Sequence, residues 1–557
     1  MAGTVLGATL VSLLLLAFTP PFSRDALIHH LQIPKLYLQH GGMYEIPELV
    51  FSYYPMNLDL LYMGALYFGS DILPKYIHMA FGLATALLLY LHLKKRLSSA
   101  YGILGAAFFL SIPIIVKLSI TVYVDLGLVF FTTASLLLLF RWLETKKVRI
   151  LLAAGVCCGL CIGTKYNGLL VLFILTFMVP VLFIRSQEQR EKAALPAVKA
   201  AVLFCFATLL AASPWMIRNA LWTGNPIYPL YNGFFSRTAA SAEQQDQQTG
   251  TQAEEAGETD GKKKSSNVRG VFARRYVLYG ENIWQLLLLP ARIFFQGQDG
   301  DPRYFDGRLN PFLLLLPLVL LFYLQKTAPK VRLEQLAMLT FCLLYFLYAF
   351  NTGVLRIRYL VPMVPFLVIL AMYGLRNVEL LAARHVKQAH AVKLVLLLPV
   401  ILLFAWNGRY IWQQFKEVDP FSYITGRLDR DAYLTERLQE YPVLQYANSN
   451  LPDSAEVLCL FLGWRGYHLD RPHLFDQHGN RELLLARLQQ PGMTADGIVQ
   501  YLKEKKITHL LIRADLLAQW LNTEDRETGE LWKQLNRKHL TMLYTHLYYI
   551  LYQIDFG

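Results

Sequence analysis

The feature that most constrains this chain is a series of apolar runs, each about 15 to 20 residues long and separated by short basic clusters. A bilayer core needs about 20 apolar residues in a helix, so runs of this kind predict membrane spans. Eleven spans are predicted, several of them short: 5–18, 73–93, 100–117, 121–140, 150–164, 168–185, 197–214, 309–324, 333–350, 359–375 and 392–406. The expected fold class is a polytopic α-helical membrane protein.

The basic residues support this interpretation. The 557 residues include 53 Lys and Arg against 40 Asp and Glu, and the excess lies between the apolar runs. A nucleic-acid-binding protein would concentrate its excess of basic residues on one face or one helix, so no nucleic-acid partner is expected. With eleven spans, five basic connections fall on one side, which the positive-inside rule makes cytoplasmic. They are Lys94–Arg96, Arg141–Arg149, Arg185–Lys199, Lys326–Arg332 and Arg376–Lys393.

This topology divides the chain into a membrane domain, 1–406, and a C-terminal domain, 407–557. The long loops 20–72 and 215–308 and the C-terminal domain then face outward from the inner (plasma) membrane. In the C-terminal domain we expect a helix over Asp431–Tyr446 and strands over Glu456–Leu462 and Thr508–Arg513, which predict a small extracytoplasmic α/β fold.

Two stretches of the second outer loop have unusual compositions. Thr238–Asn267 contains no Ile, Leu, Phe or Val, so we expect it to be disordered and dispensable. Asn282–Phe295 is apolar and aromatic but short and interrupted by Pro290. We interpret it as an element lying along the membrane surface. The alternative, a twelfth span, would invert the C-terminal domain.

Two acids stand near the outer ends of predicted spans. Asp25 lies about one helical turn from His29 and His30. A carboxylate beside imidazoles suits a general base, its orienting partner or half of a metal site, although a solvated loop start explains these residues equally well. Asp125, in Tyr123-Val-Asp125, is the second acid, and a helix cap is its simpler explanation.

Four cations lie on the predicted outer side, against the positive-inside bias: Lys165, Arg218, Arg356 and Arg358. An anion at headgroup level explains them most simply, and a bound phosphate is the obvious candidate. Contact with lipid headgroups accounts for any single one. Cys157, Cys158 and Cys161 lie among Ala and Gly in an apolar run and are expected to pack rather than bind metal.

The arrangement resembles the GT-C superfamily of membrane glycosyltransferases, in the group related to protein O-mannosyltransferases and the lipid A aminoarabinose transferase. The resemblance covers the layout of the whole chain, through short motifs and an outer C-terminal domain. The matching features are Asp25 after the first span, a long first outer loop, the Thr164-Lys165 turn, the stretch Pro214–Pro229 and the Arg358-Tyr-x-x-Pro362 stretch.

The resemblance implies inverting transfer of a sugar from a polyprenyl-phosphate carrier to an extracytoplasmic glycan, lipid or protein. Asp25 would be the base, with His30 and Asp125 as further catalytic candidates, and the four outer cations would hold the donor phosphate. Membrane lipids are further expected partners. No nucleotide-binding loop is present, so a cytosolic nucleotide is not expected.

The sequence also departs from these relatives. Ala26 follows Asp25 where the mannosyltransferases have an Asp-Glu pair, and Tyr53–Leu58 stands where the aminoarabinose enzyme has Glu-Lys-Pro-Pro. The metal ligands and phosphate lysine of that loop therefore do not carry over. The cofactor stays unknown, with a divalent metal as the candidate. The chain looks more similar to an uncharacterised bacterial branch.

Two other classes remain open: a lipid or solute transporter and a non-enzymatic assembly scaffold. We find no internal repeat of the kind that transporters use, and a transporter does not need a large outer domain. A scaffold leaves Asp25 and the outer cations unexplained. A turnover assay with a polyprenyl-phosphate sugar separates all three.

Overall fold

The computed structural model describes residues 2–235, 270–322, 327–350, 355–385, 389–476 and 483–557. The stretch Thr238–Asn267, predicted to be disordered, lies outside the described residues, so that prediction stays open. The described chain is largely helical in its first three quarters and ends in an α/β domain.

Each apolar run predicted as a span falls on a helix or a bent helix pair. The first ten helices are α1 Ala2–Ala17, α2 Gln32–His40, α3 Asn57–Tyr67, α4 Leu73–Arg96, α5 Ser99–Ser111, α6 Pro113–Ser119, α7 Asp125–Thr145, α8 Val148–Ile162, α9 Gly168–Arg185 and α10 Ala194–Thr223. Later helices cover Asn232–Phe235, Val271–Tyr279, Ile283–Leu287, Leu289–Arg292, Phe312–Leu321, Pro329–Ala349, Val364–His385 and Ala389–Val418. Short π or 3₁₀ turns cover Ala26–His30, Val50–Tyr53, Arg190–Ala193, Pro302–Tyr304 and Ile357–Met363.

The chain is a multi-pass membrane protein, but the count of eleven spans is not confirmed. By length and composition, six helices of the described chain can cross a bilayer, or seven if the bent pair α5 and α6 forms one span. Three further apolar helices have between 10 and 17 residues: α1, α8 and Phe312–Leu321. Helices this short need neighbours or a thinner bilayer to cross.

The basic connections do lie together at one end of the helix bundle. Glu144, at the end of α7, accepts from Lys95 and Arg96 at the end of α4, both at 2.6 Å, and from Lys330 at 2.9 Å. Lys146 donates to Ser186 at 2.9 Å. The hydroxyl of Tyr101, near the start of α5, donates to Oε2 of Glu379 in the fifth connection at 2.7 Å. The predicted alternation of helix directions therefore agrees with the contacts of all five connections.

The stretch Asn282–Phe295 contains no continuous helix. It forms Ile283–Leu287 and Leu289–Arg292, with Asn282 capping the first and Pro290 in the first turn of the second. Neither helix approaches the length needed to cross a bilayer. Ile283 and Trp284 are exposed, as an element lying on the membrane surface would require.

The C-terminal domain is built on a five-stranded sheet. The strands are β1 Val457–Leu460, β2 His473–Asp476, β3 His509–Arg513, β4 Leu540–His546 and β5 Tyr549–Ile554, in the order β2-β1-β3-β5-β4. β1 pairs in parallel with β2 and β3, whereas β5 pairs antiparallel with β3 and β4. The helices of this domain cover Pro420–Ile424, Arg430–Arg437, Tyr441–Asn450, Leu484–Leu488, Ala495–Glu504, Ala514–Leu521 and Arg526–His539.

The two predicted strands agree with β1 and β3, but the predicted helix Asp431–Tyr446 is wrong in one respect. It is two helices, because Arg430–Arg437 ends before Leu438 and a new helix begins at Tyr441. Pro442 lies in the first turn of the second helix, where its missing N–H costs nothing.

The sheet buries both faces, and one face packs on the membrane domain. Leu458 and Leu460 point toward the domain's own helices. Val457 and Cys459 point the other way, into a core that they share with Ile33 of α2. This alternation follows from the two-residue period of a strand. The first outer loop and the C-terminal domain therefore share one hydrophobic core.

Within the bundle, α8 and α10 approach at two glycines. A Cβ on Gly155 would lie 2.7 Å from the carbonyl oxygen of Phe204, and one on Gly159 would lie 2.4 Å from that of Thr208. Small residues at this four-residue spacing let membrane helices pack closely. Cys158, between them, is a free, buried thiol, as predicted from its apolar surroundings.

We predict that Gly159→Leu separates α8 from α10, because the contact leaves no room for a side chain. Overpacking of this kind costs about 1–3 kcal/mol. The expected result is a lower thermal midpoint of the purified protein, measured by intrinsic fluorescence. Gly7→Leu is the matched control, since nothing lies within 4 Å of a Cβ there. Equal midpoints for the two variants would contradict the predicted close packing.

Candidate active site

A cleft of about 260 Å³ opens where the predicted outer ends of the helices meet the C-terminal domain. We call it the basic cleft. Its walls come from the turn after α1, the segment before α7, the loop before Asn310, the start of the helix beyond Arg356 and the turn after β1. It is lined by Arg24, Asp25, Ile28, His29, Phe51, Tyr123, Gly300, Asp306, Arg356, Arg358 and Trp464.

Asp25 and Arg358 form an ion pair inside this cleft. The Nη1 atom of Arg358 donates to Oδ2 of Asp25 at 2.5 Å, and the guanidinium lies 4.9 Å from the ring centre of Tyr123. Burial alone would raise the pKa of Asp25, but the positive charge of the adjacent Arg358 guanidinium holds it well below its usual range. Asp25 is therefore an ionised carboxylate at neutral pH.

The two histidines after Asp25 differ in their partners. His30 is buried, and its Nδ1 lies 2.7 Å from Oδ1 of Asp59, an acid that the sequence analysis did not single out. His29 lines the cleft and stacks on Phe51 at 4.5 Å between ring centres. Burial lowers the pKa of His29 well below its usual value, so this imidazole is neutral. His30 is oriented by Asp59 and is not a lining residue of the cleft.

Asp125 and Lys165 form a second ion pair, with Nζ and Oδ1 2.8 Å apart. Asp125 begins α7 and is 2% exposed, and its side chain makes no cap for that helix. Lys165 also lies 5.8 Å from the ring centre of Tyr359, which lies 5.7 Å from the guanidinium of Arg358. The cations of the two ion pairs therefore both lie beside the Tyr359 ring.

The structure does not bring Arg218 to the cleft. Its guanidinium lies between the rings of Trp215 and Trp222, at 4.8 and 4.9 Å. It donates to Asn219 and, at 3.1 Å, to the carbonyl oxygen of Tyr54. These contacts attach the first outer loop to α10 at Tyr54. Of the four cations predicted to share a phosphate, Arg356 and Arg358 line the cleft, whereas Lys165 and Arg218 do not.

The segment Asp299–Gly307 supplies an acidic wall that the sequence analysis missed. Its backbone is attached to neighbouring elements, because Ile357 donates to the carbonyl oxygen of Phe305 at 2.8 Å. Asp306 Oδ2 lies 3.9 Å from Nε of Arg356. The signal in the sequence was a concentration of Asp and Gly typical of turns, which does not say what the turn contacts.

Trp464 is the contribution of the C-terminal domain. It follows Gly463 in a turn where both residues have positive φ, 56° and 66° respectively. Its ring meets Phe51 edge to face at 6.4 Å. No local pattern marks this tryptophan, because it reaches the cleft only through the packing of the C-terminal domain on the first outer loop.

The cleft does not fit a divalent metal well. Among the described residues, no group of three or more His, Cys, Asp and Glu side chains converges as a metal site. Asp25 faces the guanidinium of Arg358, and Asp306 lies near that of Arg356. A metal here would have to displace a guanidinium and find further ligands.

Comparisons with known proteins concern the fold of the chain. Residues 47–223 match the family described as dolichyl-phosphate-mannose-protein mannosyltransferase. Among solved structures, the chain is similar to ArnT from Cupriavidus metallidurans bound to undecaprenyl phosphate, with a TM-score of 0.57, 13% identity, and coverage of 99% of this chain and 97% of that one. The chain therefore has the GT-C fold of this structure. The match over residues 47–223 indicates a glycosyltransferase.

A second GT-C structure with this fold is the archaeal oligosaccharyltransferase AglB from Archaeoglobus fulgidus, in complex with an inhibitory peptide and a dolichol-phosphate. Its TM-score is 0.51 at 9% identity, covering 98% of this chain and 74% of that one. No curated protein matches the chain in sequence. The GT-C fold is thus shared at low sequence identity.

We predict that Arg358→Gln destabilises the protein more than the double variant Asp25→Asn/Arg358→Gln does. The single change leaves a largely buried carboxylate unpaired, which costs up to about 3–5 kcal/mol, whereas the double change removes both charges. Because the folded pKa of Asp25 lies below its unfolded value, the pair stabilises at neutral pH and the effect is lost on acidification. Thermal midpoints at neutral and acidic pH measure both effects, and indistinguishable midpoints would contradict the ion pair.

Proposed function

We propose that this chain transfers a sugar from a polyprenyl-phosphate carrier to an acceptor on the outer side of the inner membrane. The observation that carries the proposal is the basic cleft, which combines an ionised carboxylate with guanidinium groups at the meeting point of the membrane and C-terminal domains. The GT-C fold supports it, as does the bound undecaprenyl phosphate in the similar ArnT structure.

The charges of the cleft favour a phosphate. Three guanidinium groups, from Arg24, Arg356 and Arg358, stand against the two carboxylates of Asp25 and Asp306, and His29 is neutral. The excess is one positive charge, which suits an anionic group. Guanidinium groups bind phosphate oxygens with paired hydrogen bonds, so two of them can hold the leaving group as its charge develops.

In the proposed reaction, the acceptor hydroxyl attacks the anomeric carbon of the donor sugar from the face opposite the phosphate. The bond between this carbon and the phosphate oxygen breaks, and its electron pair remains on the phosphate. The hydroxyl proton passes to the carboxylate of Asp25. Attack from the opposite face inverts the anomeric centre, and a general base of this kind contributes about 10²–10⁴-fold to such a step.

The Asp25–Arg358 ion pair gives this reaction an order of events. In the resting protein, Arg358 lowers the basicity of Asp25 because it stabilises the charged carboxylate. A donor phosphate in the cleft competes for the same guanidinium. When Arg358 turns toward the phosphate, Asp25 loses its partner and becomes a stronger base. Donor binding therefore prepares the acceptor side of the site.

The rival transporter function has less support. The cleft is closed on one side by Trp464 of the C-terminal domain and on another by the segment that contains Asp306. A carrier must open such a site to both sides of the membrane, whereas an enzyme acting on one side needs only one opening. The C-terminal domain thus has a role in the proposed enzyme that it lacks in a carrier.

We predict that Asp25→Asn abolishes sugar transfer but leaves donor binding measurable, because the amide cannot accept the hydroxyl proton. Transfer of radiolabelled sugar from a synthetic polyprenyl-phosphate donor measures the first property, and binding of undecaprenyl phosphate measures the second. Retention of most of the wild-type rate would assign the base elsewhere, with Asp125 as the next candidate.

Arg356→Gln and Arg358→Gln should each weaken donor use by about tenfold to a hundredfold, the effect of losing one charge-assisted contact. Arg303→Gln is the matched control, since Arg303 is exposed and does not line the cleft. Arg218→Gln should lower stability more than donor affinity. Unchanged donor affinity in both cleft variants would contradict the proposed phosphate site.

The proposed orientation predicts opposite labelling of two engineered cysteines. Asp453→Cys, at a side chain 99% exposed in the C-terminal domain, should react with an impermeant thiol reagent in intact cells. Lys147→Cys, exposed in the connection between α7 and α8, should react only after permeabilisation. Labelling of the wild-type protein measures the background from its native cysteines. The reverse pattern would place the C-terminal domain in the cytoplasm.

A further inference from the structure

A second and larger cavity, of about 560 Å³, lies between the first outer loop and the C-terminal domain. We call it the interdomain pocket. Lys35, Gln39 and Asp71 line it from the first outer loop, and Arg430, Tyr467 and His468 line it from the C-terminal domain. Its size falls in the range of about 300–1,000 Å³ usual for small-molecule sites. The proposed reaction gives this pocket no role.

The charged groups of this pocket compensate one another. Nζ of Lys35 lies 2.7 Å from Oδ1 of Asp470, and the guanidinium of Arg430 pairs with the carboxylate of Asp71. Burial lowers the pKa of His468 to about 4, so its imidazole is neutral at physiological pH. The two cations and two anions leave no net charge. The interdomain pocket thus differs from the basic cleft, which has an excess positive charge.

The polar groups of the pocket are held in place but retain bonding capacity. The hydroxyl of Tyr467 donates to Asp71 at 3.3 Å, and Lys35 donates to the carbonyl oxygen of Tyr467 at 2.7 Å. The His468 ring packs between Tyr441 and Tyr467, with ring centres 5.1 and 4.9 Å away. Within the described residues, the buried Nε2 of His468 has no hydrogen-bond partner. Such an atom is costly unless a ligand or water satisfies it.

One rigid turn separates the pocket from the cleft. Trp464 lines the cleft and Tyr467 lines the pocket, in the same turn after β1. Gly466, between them, donates to Gln32 at 3.1 Å, and a Cβ there would lie 2.3 Å from Nε2 of His473. The turn cannot move without disturbing these contacts. A ligand in the pocket is thereby held at a fixed position relative to the basic cleft.

From this geometry we infer that the interdomain pocket binds the acceptor and that the acceptor is an uncharged, hydroxyl-rich saccharide. Each sugar hydroxyl both donates and accepts, so it can use carboxylates and cations that stand side by side. Aromatic rings offer flat apolar surface to sugar C–H groups. A charged ligand would gain no net electrostatic attraction from a pocket without net charge. A peptide would need apolar side-chain pockets or a free strand edge. The inference rests on the proposed glycosyl transfer.

The test uses the full-length protein in detergent on an array of short neutral oligosaccharides, uronic-acid oligosaccharides and peptides. Neutral oligosaccharides should be retained most strongly. His468→Phe keeps the ring packing but removes Nε2, so it should weaken this retention by about tenfold. Gln500→Ala, on the exposed face of a helix in the same domain, should leave retention unchanged.

A change of specificity separates recognition from a structural role. Asp470→Asn leaves Lys35 without its carboxylate and makes the pocket positive, so retention should shift toward the uronic-acid oligosaccharides. Stronger retention of peptides or of acidic glycans by the wild-type protein would overturn the inference, as would no retention of neutral glycans or equal retention by His468→Phe.

The array needs neither donor nor turnover, so the inference and the proposed function fail in different ways. Asp25→Asn should lose transfer and keep glycan retention. Retention of neutral glycans by a protein that transfers no sugar would remove the proposed function but keep the pocket as a saccharide site. Transfer of sugar to a peptide or a lipid, with no transfer to a saccharide, would keep the proposed function but remove the inferred saccharide site.

Discussion

The ion pair between Asp25 and Arg358 is the interaction on which the candidate site depends. The two residues are 333 positions apart in sequence, so their contact exists only when the first helix and the helix beyond Arg356 have packed correctly. A buried ion pair gains little net stability, because both charges lose water on burial. Its value lies in specificity, since an unpaired partner would be strongly unfavourable. The pair also places Asp25, the carboxylate that the first outer loop contributes to the cleft, beside a cation that a phosphate can recruit.

Much of the fold could be predicted because its signals are local. Apolar runs and basic connections can be recognised in windows of about 20 residues. The structure agrees with both, although it does not confirm how many helices cross the membrane. The helix predicted over Asp431–Tyr446 was wrong although the sequence contained the signal, Pro442. The site was harder. Asp25, Arg356 and Arg358 were found because charges near hydrocarbon stand out, whereas Asp59, Asp306 and Trp464 acquire their roles from residues far away in sequence. Arg218 was grouped with the cleft cations because sequence does not show which helix ends meet, and the structure places it outside the lining of the cleft.

The two cavities divide recognition by charge. The basic cleft has an excess cation among its five charged groups, whereas the interdomain pocket is neutral although it contains four. Net charge, rather than the number of polar side chains, therefore indicates which ligand each cavity suits. The turn from Gly463 to Tyr467 lies between them, so the C-terminal domain sets the distance from acceptor to donor. This arrangement explains why the C-terminal domain belongs to the site although, among its described residues, the one lining the basic cleft is the uncharged Trp464.

The hydrophobic core shared by Ile33, Tyr37, Val457 and Cys459 has a consequence for the synthesis of the chain. The first outer loop leaves the ribosome early, but the strands that cover its apolar side chains are made last. During translation of the intervening helices, this loop keeps an uncovered apolar surface. The covalent boundary near residue 406 is therefore not a boundary in folding, because the beginning and the end of the chain mature together. A nascent protein halted before β1 would present that surface to chaperones and proteases.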